Sequence, residues 1–443
     1  MRQGFVLRQY RKIYRFDNWM RRHFTFTGHL IVAFTIAAAV FGVNTSQSTT
    51  YQLFVFLLVL LVFALLNSPF NRLQVTLTRR LPRYGIVGEP LRYSVTLTNL
   101  TGRTYDRLAL CEQLAETLPN AAQLLKFYRL DKKPWFKQGV SFRRWLRYLA
   151  YQRGGVIAET ALPELTQIPL KVKISFTPTR RGTIVFTDSY LAKPDLLGLF
   201  RHLIVLKAHQ SCLVLPKHHP IKPLTLAGAR KYQAGGVSLA SSVGDSSEFM
   251  SLRDYQRGDP LNSIHWKSFA KHGKLIVKEY QDEYFVRRAL LLDTFAGDAA
   301  VEQFEAAVSV AASIAVSEQQ NEALLDLMFV GLQTYCFTAG RGVDQLPHLL
   351  EILAAVQPGE KDSFAQLRQA VLARAGLCSN LFCVLMHWDQ TRQDFIKQLL
   401  GRGLPIAVFL LHDGSLTKAQ CVNKLEHFYL LNYHHLAEQL AAL

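Results

Sequence analysis

The residues best placed to do chemistry lie between positions 244 and 293. Arg253, Asp254, Arg257 and Asp259 put opposite charges within seven positions, beside the turn Gly258-Asp259-Pro260 and the aromatic Trp266. Guanidinium and carboxylate at that spacing can lock a loop through ion pairs and hydrogen bonds, and the same loop can serve as a contact surface. Catalytic frames are missing from the sequence. The adjacent pairs His218-His219 and His434-His435 point apart on any regular element, and no H-E-x-x-H, G-x-S-x-G or Walker A loop occurs. Gly235-Gly236 is an isolated turn, not a nucleotide cradle. The six cysteines, Cys111, Cys212, Cys336, Cys378, Cys383 and Cys421, never form a C-x-x-C pair, so neither a zinc nor a redox site is expected. Cys336 and Cys383 fall in apolar, strand-like runs, where a thiol behaves as a small buried hydrophobe.

The elements that must carry these residues begin with a membrane anchor. Residues 30–43 are uncharged and apolar, as are residues 51–66, and each run approaches the roughly 17–20 residues that cross a hydrocarbon core. They predict a transmembrane hairpin over 24–70, with helices at about 25–43 and 51–68. Arg2, Arg8, Arg11, Lys12, Arg15, Arg21 and Arg22 precede it, Arg72, Arg79, Arg80 and Arg83 follow it, and the linking NTSQSTT is neutral. The positive-inside rule then keeps the basic stretch 1–23 and the body in the cytoplasm, at the inner membrane. This placement gives lipid headgroups a share of the net charge of +18, so nucleic acid is not an expected partner.

Residues 71–225 alternate apolar and polar positions in short runs divided by Gly, Pro and Asn, which predicts an immunoglobulin-like β-sandwich. A basic helical insertion interrupts it at about 121–155. Phe142, Trp145, Leu146 and Leu149 recur there at helical spacing, with Arg143, Arg144 and Arg147 on other faces. Arg143, Arg144, Trp145 and Arg147 are candidates for the membrane surface; the alternative is a helix packed on the sandwich with a solvated basic face.

The stretch 226–285 carries a signature. Arg253-Asp254-Tyr255, Gly258-Asp259-Pro260, Ile264-His265-Trp266-Lys267 and Ala270, in that order, resemble the hallmark of the domain-of-unknown-function family 58. The resemblance extends to the paired N-terminal helices, to Arg181-Gly182, to Asp195-Leu196-Leu197-Gly198-Leu199-Phe200, and to a C-terminal von Willebrand factor A-like region. Asn262 and Lys271 depart from the family's usual arginines, and the basic insertion is longer than usual.

Residues 286–443 alternate apolar strands with helices, which predicts a doubly wound, mostly parallel α/β sheet with its ligand edge at the carboxyl ends of the strands. The resemblance implies a magnesium site at that edge, built on Asp-x-Ser-x-Ser. Here the stretch is Asp293-Thr294-Phe295-Ala296-Gly297, so both serines are gone, and Asp389 is the stand-in for a later acid. Asp293 is expected instead to cap a helix or bind loop amides. No cofactor is therefore expected, with magnesium the weak exception.

The resemblance also implies a link to MoxR-type AAA+ ATPases. The function expected is a noncatalytic, membrane-anchored adaptor in assembly or envelope-related processes, with contacts around Asp293 and the signature loop. A metal-dependent protein-binding module and an enzyme with an unrecognised site are the alternatives.

Overall fold

The structure is a computed structural model that describes residues 2–41, 48–66, 74–127, 140–222, 224, 226, 249–259, 261–280, 287–295, 301–319, 324–330, 334–339, 345–359, 364–414 and 425–443. It resolves into two compact units, Met1–His219 with Leu350–Gln357, and Pro220–Leu349 with Pro358–Leu443.

The first unit opens with three helices: α1 (Arg2–His23), α2 (Phe26–Phe41) and α3 (Ser48–Leu66). Thr49–Leu66 is long and apolar enough to cross a membrane; α2, at 16 residues, is apolar but shorter. Residues 42–47 and 67–73, where the expected hairpin turns and ends, lie outside the described residues. The sequence predicts only a basic flank over 1–23, whereas the structure forms a helix there. Leu7 is buried and Tyr10 and Tyr14 are partly buried against α4 (Ala121–Phe127) and α5 (Phe142–Arg153), because α1 carries aromatic and aliphatic groups between its arginines.

This packing corrects one expectation. Trp145, Tyr148 and Leu149 of α5 are buried in the same cluster, so Trp145 is a packing residue and unavailable to lipid headgroups. Its ring meets Tyr14 edge-on at 5.2 Å. Arg143, Arg144 and Arg147 lie on the exposed side, which gives the helix an exposed basic face. Ser141 caps α5 at its start and Gly154, in the left-handed conformation at φ 76°, closes it.

The rest of this unit is β-rich. β1 (Val75–Arg80), β3 (Leu91–Asn99) and β6 (Leu170–Phe176) form one sheet in the order β1-β3-β6. β2 (Tyr84–Ile86), β7 (Gly182–Phe186) and β10 (Gln210–Leu215) form a second, and β4 (Ala109–Cys111), β5 (Thr160–Ala161), β8 (Ser189–Pro194) and β9 (Arg201–Leu206) a third. Leu91, Tyr93, Val95 and Leu97 alternate inward along β3 and meet Phe176, Phe186, Leu110 and Leu191 in one core. Arg79 also points inward. It donates to Glu112 (2.9 Å), Ser189 Oγ (2.8 Å) and the Ala208 carbonyl (2.6 Å), so it is a core ion-pair partner and leaves the set of charges flanking the anchor.

The second unit holds the hairpin β11 (Phe249–Asp254) and β12 (Ile276–Tyr280) with α6 (Trp266–His272) between them, and a six-stranded sheet. The sheet strands are β13 (Arg287–Leu292), β14 (Leu324–Val330), β15 (Thr334–Ala339), β16 (Asn380–Leu385), β17 (Ile406–His412) and β18 (Phe428–Asn432), in the order β15-β14-β13-β16-β17-β18. All pairings are parallel except β14 with β15. Every residue of β16 and β17 is buried, as in sheets covered on both faces. α7 (Val301–Gln319) brings alanines and Phe304 against the sheet, and α8 (Gln345–Ala355) follows β15 in the chain. α9 (Phe364–Arg374) and α10 (Gln390–Leu400) pack Leu367, Val371, Phe395 and Leu399 on Ala289, Leu291, Cys383 and Leu385. The chain enters at β13, builds outward on one side, then returns to build the other. This leaves a topological switch point between the carboxyl ends of β13 and β16.

Candidate functional site

The signature segment folds into a small closed unit. Arg253 and Asp259 pair through two parallel hydrogen bonds, Nη1 to Oδ2 at 2.7 Å and Nη2 to Oδ1 at 2.8 Å. Asp259 Oδ2 also accepts the Gln256 N–H at 2.9 Å. The Arg253 hydrogen bonds, followed by that amide, hold the Asp259 carboxyl below its ordinary range. Gly258 takes φ 117°, a conformation side chains disfavour, so the turn that brings Asp259 back requires glycine. Across the hairpin, the Tyr255 N–H donates to Leu275 and the His265 N–H to Ile276, while Ile264 and Val277 bury each other. Asp254 ends β11 with an exposed side chain, and Lys267 is exposed on α6. Trp266 is 59% exposed and leans edge-on against Phe269 at 6.0 Å, because α6 is a single short helix with no layer above it among the described residues. Pro260 lies outside the described residues.

The switch point brings together Asp293 and Asp389. Asp293 follows β13 and is fully buried; its N–H donates to the Val384 carbonyl of β16 and its Oδ1 accepts the Phe295 N–H at 3.0 Å. Asp389 caps the start of α10 by accepting the Arg392 N–H at 2.9 Å. Between the carboxylates sits a residue the sequence reading missed. Arg392 donates from Nε to Asp293 Oδ2 at 2.7 Å and from Nη1 to Asp389 Oδ2 at 2.5 Å, with its guanidinium carbon 4.6 Å from the centre of the Phe364 ring. Burial opposes its charge, yet the Asp293 and Asp389 carboxylates outweigh burial and raise its pKa. A signal for it did exist. Arg392 falls three, four and seven positions before Phe395, Ile396 and Leu399, so helical periodicity places it on the buried stripe of α10.

These residues do not fit a magnesium cage, which needs several oxygens in near-octahedral array. Phe295, where the motif has a serine, is buried against Gly359 and Phe364. The space between the two carboxylates belongs to a guanidinium. On the neighbouring strand ends, Gln303 Nε2 donates to Met386 and Leu411 carbonyls at 2.8 Å each, fixing α7 to β16 and β17. Thiol chemistry has no better footing: burial, before any charge, pushes Cys378 up to about 11, and it also raises Cys383.

Residues 251–398 match the family described as "Protein of unknown function DUF58", a span that starts in β11 and ends in α10. It thus takes in both the Arg253–Asp259 clamp and the Arg392 switch point. The chain thus carries a DUF58 domain over this span. It is 28% identical over 196 residues to the "Uncharacterized protein YeaD" of Bacillus subtilis, a match covering 44% of this chain and 48% of that relative's length. Among solved structures, a CARDB domain from Pyrococcus furiosus is 12% identical, with a TM-score of 0.19, over 33% of this chain and 96% of that one. A cohesin module from Clostridium perfringens is 10% identical, with a TM-score of 0.16, over 32% of this chain and 96% of that one. Both superpose too loosely to argue a fold.

Proposed function

We propose that this protein is a noncatalytic adaptor, anchored in the inner membrane, that presents the edge of its α/β sheet to a protein partner. The observation that carries the reading is Arg392 lying between Asp293 and Asp389. An edge whose cation position is filled from within neither activates water nor bridges a partner's carboxylate through a metal. What it offers is a rigid, polar recognition surface. In this reading α2 and α3 both span the bilayer, the N-terminus and the body lie in the cytoplasm, the β-rich sheets are immunoglobulin-like, and the strand order supports a von Willebrand factor A-like domain. The resemblance of the signature supports a MoxR-type AAA+ ATPase as the partner. The metal-dependent alternative is disfavoured by the same arginine.

Capture from detergent-solubilised membranes tests the adaptor. The full chain is expected to retain an AAA+ ATPase, with retention altered by ATP and, in nucleotide-free buffer, unchanged by EDTA. Loss of capture in EDTA without nucleotide would return the metal-dependent reading. Reporter fusions test the placement: a reporter at Leu443 should behave as cytoplasmic and one within residues 44–50 as external. External activity at Leu443 would overturn the topology.

A further inference from the structure

The stretch Asp195-Leu196-Leu197-Gly198-Leu199-Phe200, between β8 and β9, is a tight loop held from inside. Asp195 is buried, and its Oδ1 accepts the N–H groups of Leu199 at 2.7 Å and Phe200 at 3.0 Å. Its own N–H donates to the Phe200 carbonyl, and the Gly198 N–H donates back to Asp195. Gly198 adopts φ 68°, the left-handed turn that lets the chain reverse within so few residues. Leu199 is buried, whereas Leu196 and Leu197 stand 76% and 44% exposed. The one charged side chain of the loop is thereby turned inward, and the rim it shows is aliphatic.

This loop is joined to the first turn of α2. The Thr25 N–H donates to the Leu199 carbonyl at 3.1 Å, and the hydroxyls of Thr25 and Thr27 donate to the Gly198 carbonyl at 2.5 and 3.0 Å. Phe24 and Phe200 form an antiparallel bridge, with their rings 4.6 Å apart. A side chain at Gly28 would stand 2.2 Å from the Leu199 carbonyl oxygen, so glycine there permits the approach. Immediately upstream, Trp19 stacks on His23 beside Arg21 and Arg22, a group suited to the headgroup region.

We propose that the Leu196–Leu197 loop is a membrane-inserting wedge, which seats the β-rich unit on the bilayer at the depth where α2 enters it. The occupant is the headgroup–acyl boundary of lipid, because the loop is continuous with the start of an apolar helix that leads into α3. The proposal rests on reading α2 and α3 as the membrane anchor.

The test is a nitroxide at Leu196→Cys, and separately at Leu197→Cys, in the full chain within nanodiscs of phosphatidylethanolamine and phosphatidylglycerol. Labels at Val59→Cys in α3 and at Ile168→Cys, 76% exposed in the same unit, are references, and the unsubstituted chain is the labelling blank. Labels at 196 and 197 are expected to relax with oxygen and resist a water-soluble nickel chelate, as at 59, with the reverse at 168. A label at 59 that reports lipid while 196 and 197 behave like 168 overturns the wedge and leaves the anchor standing. A label at 59 that is open to the chelate overturns the anchor and the wedge with it.

Discussion

Arg79 and Arg392 are both buried, and their surroundings differ in an instructive way. Arg79 in the β-rich unit and its partner Glu112 have fully buried side chains; Nε, Nη1 and Nη2 all donate, and Ser189 Oγ completes the network through Glu112 Oε1 at 2.9 Å. Arg392 in the α/β unit is sealed on its Asp293 side, but Asp389, its other partner, has a half-exposed side chain. The first is a closed knot with no free edge. The second sits where open sheets of this topology place their ligands. Similar chemistry therefore serves a purely internal role in one unit and finishes a surface in the other.

Removing the guanidinium at the closed site should have the largest effect. Arg79→Ala strands a buried carboxylate and should cost about 3–5 kcal/mol, read as a loss of hydrogen-exchange protection across β1, β3 and β4. Replacing Arg79 and Glu112 together with apolar residues of similar volume should recover most of that loss, since burying two ions gains little over good packing. Failure of the double variant to recover would mean that the pair also specifies the arrangement of the strands.

At the switch point Arg392→Ala should cost somewhat less, about 2–4 kcal/mol, because water can reach the Asp389 side. Here an apolar double replacement with Asp293 should not recover stability, because Asp293 Oδ1 also holds the Phe295 N–H. Manganese titration sharpens the contrast. The native chain should show no saturable binding that Asp293→Asn removes, and its melting should ignore EDTA. Saturable binding lost in Asp293→Asn would show that a metal competes successfully with Arg392.

The difference in how these sites read from sequence has a physical cause. Most elements of the C-terminal sheet follow from periodicity: the run at 301–319 is α7 and that at 406–412 is β17, because helix and buried-strand patterns are local. β15 runs antiparallel to β14, and three intervening residues are too few for a parallel crossover. Arg79 escaped notice because a basic residue after an apolar helix looks like a topology signal, and only its place in the β1 alternation reveals that it points inward. Arg392 escaped because attention went to carboxylates and hydroxyls as metal ligands, while the chain had placed a cation of its own there. α1 hid among its arginines, whose long side chains reach water while Leu7 and Tyr10 pack.

The smallest expected effect is at the half-buried Arg253–Asp259 clamp, and it is separable by pH. The folded pKa of Asp259 is lowered, chiefly by Arg253, so the clamp's contribution is present in full above the unfolded carboxylate value of about 4 and is lost as pH falls through the folded value. Protonation removes one partner of a bidentate pair while leaving the β11–β12 ladder and the Ile264–Val277 contact in place. Opening should therefore be confined to the turn at 255–259. Amide exchange of Gln256, whose N–H bonds Asp259, should accelerate below about pH 4 relative to Val277. Asp259→Asn should show the faster exchange already at neutral pH and lose the acid dependence. If Gln256 and Val277 accelerate together, the hairpin opens as one piece and the clamp is not an independent lock.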